Sequence, residues 1–199
     1  MKIGIFGGAF NPVHIGHVKL LRVLNDEICF DKILIIPSKQ SPHKSSDGLI
    51  DSKYRVEMLK IAFSQYNKAT VSDIELKREG KSYTVDTLKQ LKGEYPTDEL
   101  FLICGSDMFL TLHDWREPIE IFKNAVICTA LRGDVDDEVM FTQNEMLKNL
   151  GAETVLVNKR IKPVSSTIIR EGLKIGQDVH ELLPSGVYDY ILQNGIYRE

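Results

Sequence analysis

Short apolar runs alternate along this chain with segments whose apolar residues recur at helical spacing. The strand-like runs lie at 2–6, 32–37, 69–75, 100–104, 125–131 and 153–157. Helical periodicity predicts helices at 16–28, 52–66, 83–93, 117–123 and 137–149, with two more at 166–175 and 185–194. Several of the runs are apolar without alternation, as strands covered on both faces are. This order predicts an α/β fold built on a doubly wound parallel sheet. No repeat, low-complexity tract or long linker interrupts it. The chain, 1–199, therefore reads as a single domain with a small helical portion at its C-terminal end.

One stretch breaks the pattern. SKQSPHKSSDGLID, at 38–51, is polar, carries Pro42 and Gly48, and follows a strand. It reads as a mobile loop at the carboxyl edge of the sheet, where open α/β sheets bind ligands. By contrast, Asp73, Glu75 and the run Lys77-Arg78-Glu79 read as a strand end and a solvated hairpin, with no functional role.

Composition narrows the class of partner. Hydrophobic residues make up 43% and charged residues 27%, an ordinary globular balance over 199 residues. A net charge of −3 offers no general attraction to polyanions, so a nucleic-acid partner is not expected. No apolar run approaches the roughly 20 residues of a membrane span, and MKIGIFGG enters a strand-like run at once, without a signal peptide. Cys29, Cys104 and Cys128 are odd in number and far apart, which reads as buried, reduced thiols in a cytoplasmic protein. The oligomeric state does not follow from the pattern.

The first turn carries the clearest chemistry. The strand ends in Gly7-Gly8, where a backbone without side chains can approach a ligand closely. Asn11-Pro12 is a turn dipeptide, and the helix that follows offers N–H groups and a positive dipole end to phosphate. No Gly-x-Gly-x-x-Gly can be written here. His14 and His17 are three apart and share a helical face, so both imidazoles can donate to the oxygens of a phosphate under attack. Gly16 between them would let a base or ribose lie close to the backbone. The pair alone also fits a metal pair or two surface histidines, although a metal would need a third ligand.

Near the other end, Val164-Ser-Ser-Thr-Ile-Ile-Arg170 precedes a further amphipathic helix. Ser165, Ser166 and Thr167 gather hydroxyls where a helix needs its N-cap, and Arg170 shares a face with Ser166. Hydroxyls, exposed N–H groups and a guanidinium together suit a triphosphate tail. A capped surface helix with a solvated arginine would look the same in isolation. Lys159, Arg160 and Lys162 add positive charge upstream.

Together, Gly-Gly-Ala-Phe-Asn-Pro-Val-His-Ile-Gly-His and Ser-Ser-Thr-Ile-Ile-Arg resemble the nucleotidyltransferases of the HxGH superfamily, and within it the bacterial nicotinate-nucleotide adenylyltransferases. The segments between match as well: Pro42-His43-Lys44, then Arg55 and Met58, then Lys81-Ser-Tyr-Thr-Val-Asp-Thr-Leu88, then Gly105-Ser-Asp107 with Trp115. The resemblance covers nearly the whole chain and implies a Rossmann-like nucleotidyltransferase fold. It implies transfer of AMP from ATP to nicotinate mononucleotide, with Mg²⁺ arriving on ATP and no protein metal ligand assigned. It further implies that His14, His17 and Arg170 are catalytic. Gly7, Gly8, Ala9, Phe10, Gly16, Gly105, Asp107, Ser165, Ser166 and Thr167 would bind ATP. His43, Lys44, Tyr83, Thr84, Trp115 and Arg132 would bind the mononucleotide.

Two departures stand out. Ala9 occupies a position where the family often has a hydroxyl, and Leu131-Arg132-Gly133 lacks the family's usual proline after the arginine. A preference for nicotinamide mononucleotide is a close alternative, because the discriminating contacts are few. A nucleotide-binding regulator without catalysis is the alternative of another class. It would have lost a phosphate-handling residue, whereas His14, His17 and Arg170 are all present.

Overall fold

The computed structural model describes residues 1–40, 48–133 and 135–198. Within these residues, six parallel strands form one sheet: β1 (Lys2–Gly8), β2 (Lys32–Pro37), β3 (Ala69–Val71), β4 (Glu99–Ile103), β5 (Val126–Arg132) and β6 (Thr154–Ile161). Their spatial order is β3-β2-β1-β4-β5-β6, the doubly wound arrangement expected. Among the described residues, eight α-helices connect and cover them: α1 (Ile15–Ile28), α2 (Ser52–Phe63), α3 (Thr84–Glu94), α4 (Ser106–Leu110), α5 (Pro118–Asn124), α6 (Asp137–Asn149), α7 (Ser166–Lys174) and α8 (Val187–Gln193). Short 3-10 turns lie at Leu112–Asp114 and His180–Leu182.

Alternation within each strand divides the core in two. Phe6, Ile33, Ile35, Phe101 and Ile103 face the layer built from α1, α2, α7 and α8. Ile3, Ile5, Leu34, Ile36, Leu100 and Leu102 face the layer of α3, α5 and α6. Both faces are buried, which explains the near-continuous apolar runs. The chain enters at β1, winds outward to β3, then crosses back through α3 to β4 on the other side of β1. β1 and β4 are neighbours, with Phe6 opposite Ile103, yet the chain leaves them in opposite directions. Their carboxyl ends open the crevice in which such sheets hold ligands.

The structure corrects several boundaries. The run at 69–75 leaves the sheet at Val71, and Glu75 is buried at 6% exposure, not part of a solvated hairpin. β6 continues beyond 157 to Ile161, through a register shift against β5 between Ala130 and Arg132. The helix at 52–66 stops at Phe63, while α4 has only five residues, too short to leave a periodic signal. Cys29 is exposed where α1 ends in a left-handed turn, and only Cys104 and Cys128 are buried. Among the described residues, no helix is long and apolar enough to cross a membrane.

Candidate active site

The turn after β1 is held by its aromatic and histidine rings. A side chain at Gly7 would meet nothing within 4 Å, whereas one at Gly8 would press on the Phe10 ring at 3.2 Å. Phe10 adopts φ 46°, a left-handed conformation that turns its ring into the core against Phe6 and His17. His14 caps α1 in extended conformation, and its backbone N–H donates to His17 Nδ1 at 3.1 Å. The two imidazoles stack, with centroids 3.7 Å apart and planes 21° from parallel. Because His17 Nδ1 accepts, the ring proton resides on Nε2, which makes that nitrogen the donor. Gly16 also serves its own neighbour in the turn. A Cβ there would lie 3.0 Å from His14 Nδ1, so the glycine makes room for the His14 ring itself.

The second motif docks directly on this turn. Ser165 caps α7 by accepting from the Thr167 N–H at 3.2 Å. The Ser166 hydroxyl donates to the Pro12 carbonyl at 3.0 Å. Arg170 donates through Nη1 to the Asn11 carbonyl at 2.8 Å and through Nη2 to Thr167 Oγ1 at 3.3 Å. Residues more than 150 positions apart thus form one wall beside the stacked histidines. A cavity of about 710 Å³ opens on the other side of this wall, between α2, α7 and the C-terminal residues; Tyr54, Thr167, Arg170, Lys174 and Tyr197 line it in part, and neither histidine does. Of the upstream cations, Arg160 pairs with Asp137 at 2.7 Å.

Two buried polar residues brace this end; the sequence offered Asn11 only as part of a turn dipeptide and Arg55 only as a family match. Arg55 is 1% exposed and faces backbone carbonyls: Ala9 at 2.9 Å, Ser38 at 2.8 Å and Ile50 at 3.3 Å. Burial lowers the pKa of its guanidinium from the ordinary arginine range. Asn11 accepts at Oδ1 from the Tyr197 hydroxyl at 2.7 Å and donates to the Gly48 carbonyl at 2.8 Å. The sequence signal for Arg55 was its place in an amphipathic helix among buried positions. A guanidinium there must find acceptors.

At the end of β4, Gly105 caps α4, and the exposed Asp107 follows one residue into the helix. A Cβ at Gly105 would lie 2.8 Å from Asp107 Oδ1, so this carboxylate leans back over the turn. The neighbouring thiols are not reactive centres. Burial raises Cys104 far above the usual thiol range and pushes Cys128 up to about 12.

The remaining candidates gather on loops. Tyr83 caps α3 and Thr84 begins it. Ser82 ties this segment to the one after β2: its N–H donates to the Gln40 carbonyl at 2.9 Å, and its hydroxyl accepts from Lys39 N–H at 3.2 Å. Behind it, the Thr87 hydroxyl donates to Glu75 Oε1 at 2.8 Å, and Arg78 Nη1 donates to Thr87 at 2.9 Å. Burial raises the Glu75 pKa, and hydrogen bonds from Thr87 and Ser82 with the Arg78 charge only partly oppose this. Trp115 is half-buried after the 3-10 turn, with its indole N–H 3.5 Å from Thr111 Oγ1. Arg132 ends β5 on the same carboxyl edge, opposite Ile161. His43 and Lys44 lie outside the described residues. Among the described residues, no three His, Cys, Asp or Glu side chains come together as a metal site.

Residues 5–172 match the family model described as cytidylyltransferase-like. A probable nicotinate-nucleotide adenylyltransferase of Carboxydothermus hydrogenoformans is 39% identical over 198 residues, covering 99% of this chain and 98% of its own. One from Dictyoglomus thermophilum is 38% identical over 197 residues, covering 99% and 100%. Among solved structures, the Plasmodium falciparum nicotinic acid mononucleotide adenylyltransferase complexed with NaAD superposes with a TM-score of 0.79 at 21% identity, covering 98% and 97%. That likeness speaks for the fold.

Proposed function

The chain belongs to the cytidylyltransferase-like family, and within it to the nicotinate-nucleotide adenylyltransferases; on that premise we propose how its residues divide the work. The enzyme transfers AMP from ATP to nicotinate mononucleotide, giving nicotinate adenine dinucleotide and pyrophosphate in NAD biosynthesis. A mononucleotide phosphate oxygen attacks the α-phosphorus, and the bond to the bridging oxygen breaks as pyrophosphate departs. Such a transfer asks the protein for position and charge stabilisation, with no covalent intermediate.

His17 donates from Nε2 to the α-phosphate as negative charge accumulates, while His14, stacked against it, fixes the ring and faces the neighbouring phosphate. Arg170 and the start of α7 hold the departing pyrophosphate. Gly7 and Gly8 admit the nucleotide to the crevice between β1 and β4, and Asp107 accepts from its ribose hydroxyls. Tyr83, Thr84 and Trp115 receive the pyridine ring. The phosphate wall consists of donors and cations, which fits Mg²⁺ carried on the oxygens of ATP better than a protein-held ion. Bound in that way, the ion neutralises phosphate charge. Both substrates are soluble, and we assign the reaction to the cytoplasm.

The observation that carries this reading is the docking of Ser166 and Arg170 on the Asn11–Pro12 turn, beside the stacked histidines. The test is pyrophosphate release from magnesium ATP with each pyridine mononucleotide. Release with a markedly higher kcat/KM for the nicotinate form is expected. Comparable efficiencies would remove the acid specificity, and no release at saturating substrates would favour a binding protein without catalysis.

A further inference from the structure

The two pyridine mononucleotides differ at one position. A carboxylate and a carboxamide have nearly the same shape, and both offer an oxygen to a neutral donor such as the Thr84 hydroxyl. What separates them cleanly is a full negative charge. The residue best placed to read that charge is one the sequence did not single out.

Arg116 directly follows Trp115, and its guanidinium carbon lies 4.6 Å from the centroid of the Tyr83 ring. It thereby joins the two segments assigned to the pyridine ring, within the range of a cation–π contact. The next residue, Glu117, sits at φ 52° and ψ 56°, a left-handed conformation unfavourable for a residue with a side chain. Its carboxylate takes an ion pair from Lys89 of α3 at 2.7 Å and lies 3.5 Å from Arg116 Nε. The strained turn is therefore anchored to α3, and it brings Arg116 back over the capping residue of that helix. Arg116 and Lys89 thus meet the same carboxylate, and Lys89 also feels the charges of Glu120 and Asp86. Asp86 in the first turn of α3, the exposed Asp114 and Glu120 of α5 are the other acids nearby in the chain; Glu120 pairs with Lys123 at 2.6 Å, and Lys81 adds a cation before Tyr83. The Arg116 side chain remains 52% exposed, so its charge is open to a ligand at the mouth and is not consumed by packing.

We propose that Arg116 is a specificity-determining residue, whose guanidinium over Tyr83 favours the acid-bearing pyridine ring over the amide by charge. The inference rests on the assignment of Tyr83, Thr84 and Trp115 to that ring. A partly exposed charge pair supports a preference of about tenfold at most, added to whatever the neutral donors supply.

Steady-state rates with both mononucleotides, for the wild type, Arg116→Gln and Arg116→Lys, at low salt and at about 0.5 M salt, test it. Arg116→Gln is expected to lower kcat/KM for nicotinate mononucleotide about tenfold through KM, with the amide substrate and the KM for ATP unchanged. Arg116→Lys should keep most of the preference, and high salt should bring the wild type towards the glutamine variant. Equal losses on both substrates would mean that Arg116 merely packs on Tyr83, and would overturn the proposal. A selective wild type with an equally selective Arg116→Gln overturns the proposal alone. A wild type that accepts both mononucleotides equally overturns the acid-specific reading, and the proposal falls with it.

Discussion

The two ends of the crevice are built differently. At the proposed phosphate end, most groups sit where a regular element begins or ends: Gly7 and Gly8 close β1, His14 caps α1, and Ser165 caps α7. Direct bonds from Ser166 and Arg170 to Pro12 and Asn11 lock these parts together, with buried Arg55 bracing the turn from behind. At the ring end, Tyr83 and Trp115 stand at the margins of two loops, tied by Ser82 to the segment after β2 and by Arg116 to each other. The phosphates are common to every reaction of this class, and the attacking group is what varies. Fixing the first on rigid elements and leaving the second to loops separates chemistry from choice.

Substitutions should divide along the same line. The largest effect is expected from His17→Ala, which removes a donor to the phosphate under attack. Turnover should fall about a hundredfold or more, while thermal unfolding changes by only a few degrees. An unchanged kcat in a stopped assay of pyrophosphate release would remove His17 from the mechanism. Next comes Trp115→Ala at the ring end. It should raise KM for the mononucleotide about tenfold and leave KM for ATP untouched, as loss of a stacking face does. If both constants moved together in a two-substrate matrix, the ends would not be independent.

The smallest effect belongs to Glu75→Gln and is one of stability. Burial raises the folded pKa of Glu75 above its ordinary value, so the folded protein binds this proton more tightly than the unfolded chain. Its contribution is complete below the ordinary carboxylate pKa and is lost as pH rises through the raised value. The glutamine still accepts from Thr87 and carries no charge to bury. Denaturant midpoints should therefore show the wild type losing ground to the variant as pH rises above the ordinary carboxylate pKa. Parallel midpoints over that rise would place Glu75 in a more solvated setting.

Much of this molecule was legible in the chain. Continuous apolar runs gave the buried strands, and their alternation with periodic segments gave the doubly wound order later seen in the sheet. The histidine pair, the two glycines and the Ser-Ser-Thr-Ile-Ile-Arg segment stood out because short spacings on a helix or turn fix relative position locally. Failures came where position depends on distant partners. Glu75 looked solvated because its neighbours in sequence are charged, yet Thr87 and Ser82 close over it. Arg116 drew no notice in the chain, and only the fold places it over Tyr83, next to the left-handed turn at Glu117.

The sequence by itself determined the element order and the two faces of the sheet, and it supplied the residues proposed to handle phosphate, since periodicity and capping are local physics. Only the tertiary structure decided that Arg170 reaches the Asn11 carbonyl, that Arg55 is buried among backbone oxygens, and that a cation stands beside the ring-binding loops. Those are contacts between residues tens to more than a hundred positions apart. No local spacing encodes them, because they exist only once the sheet has brought its carboxyl ends together.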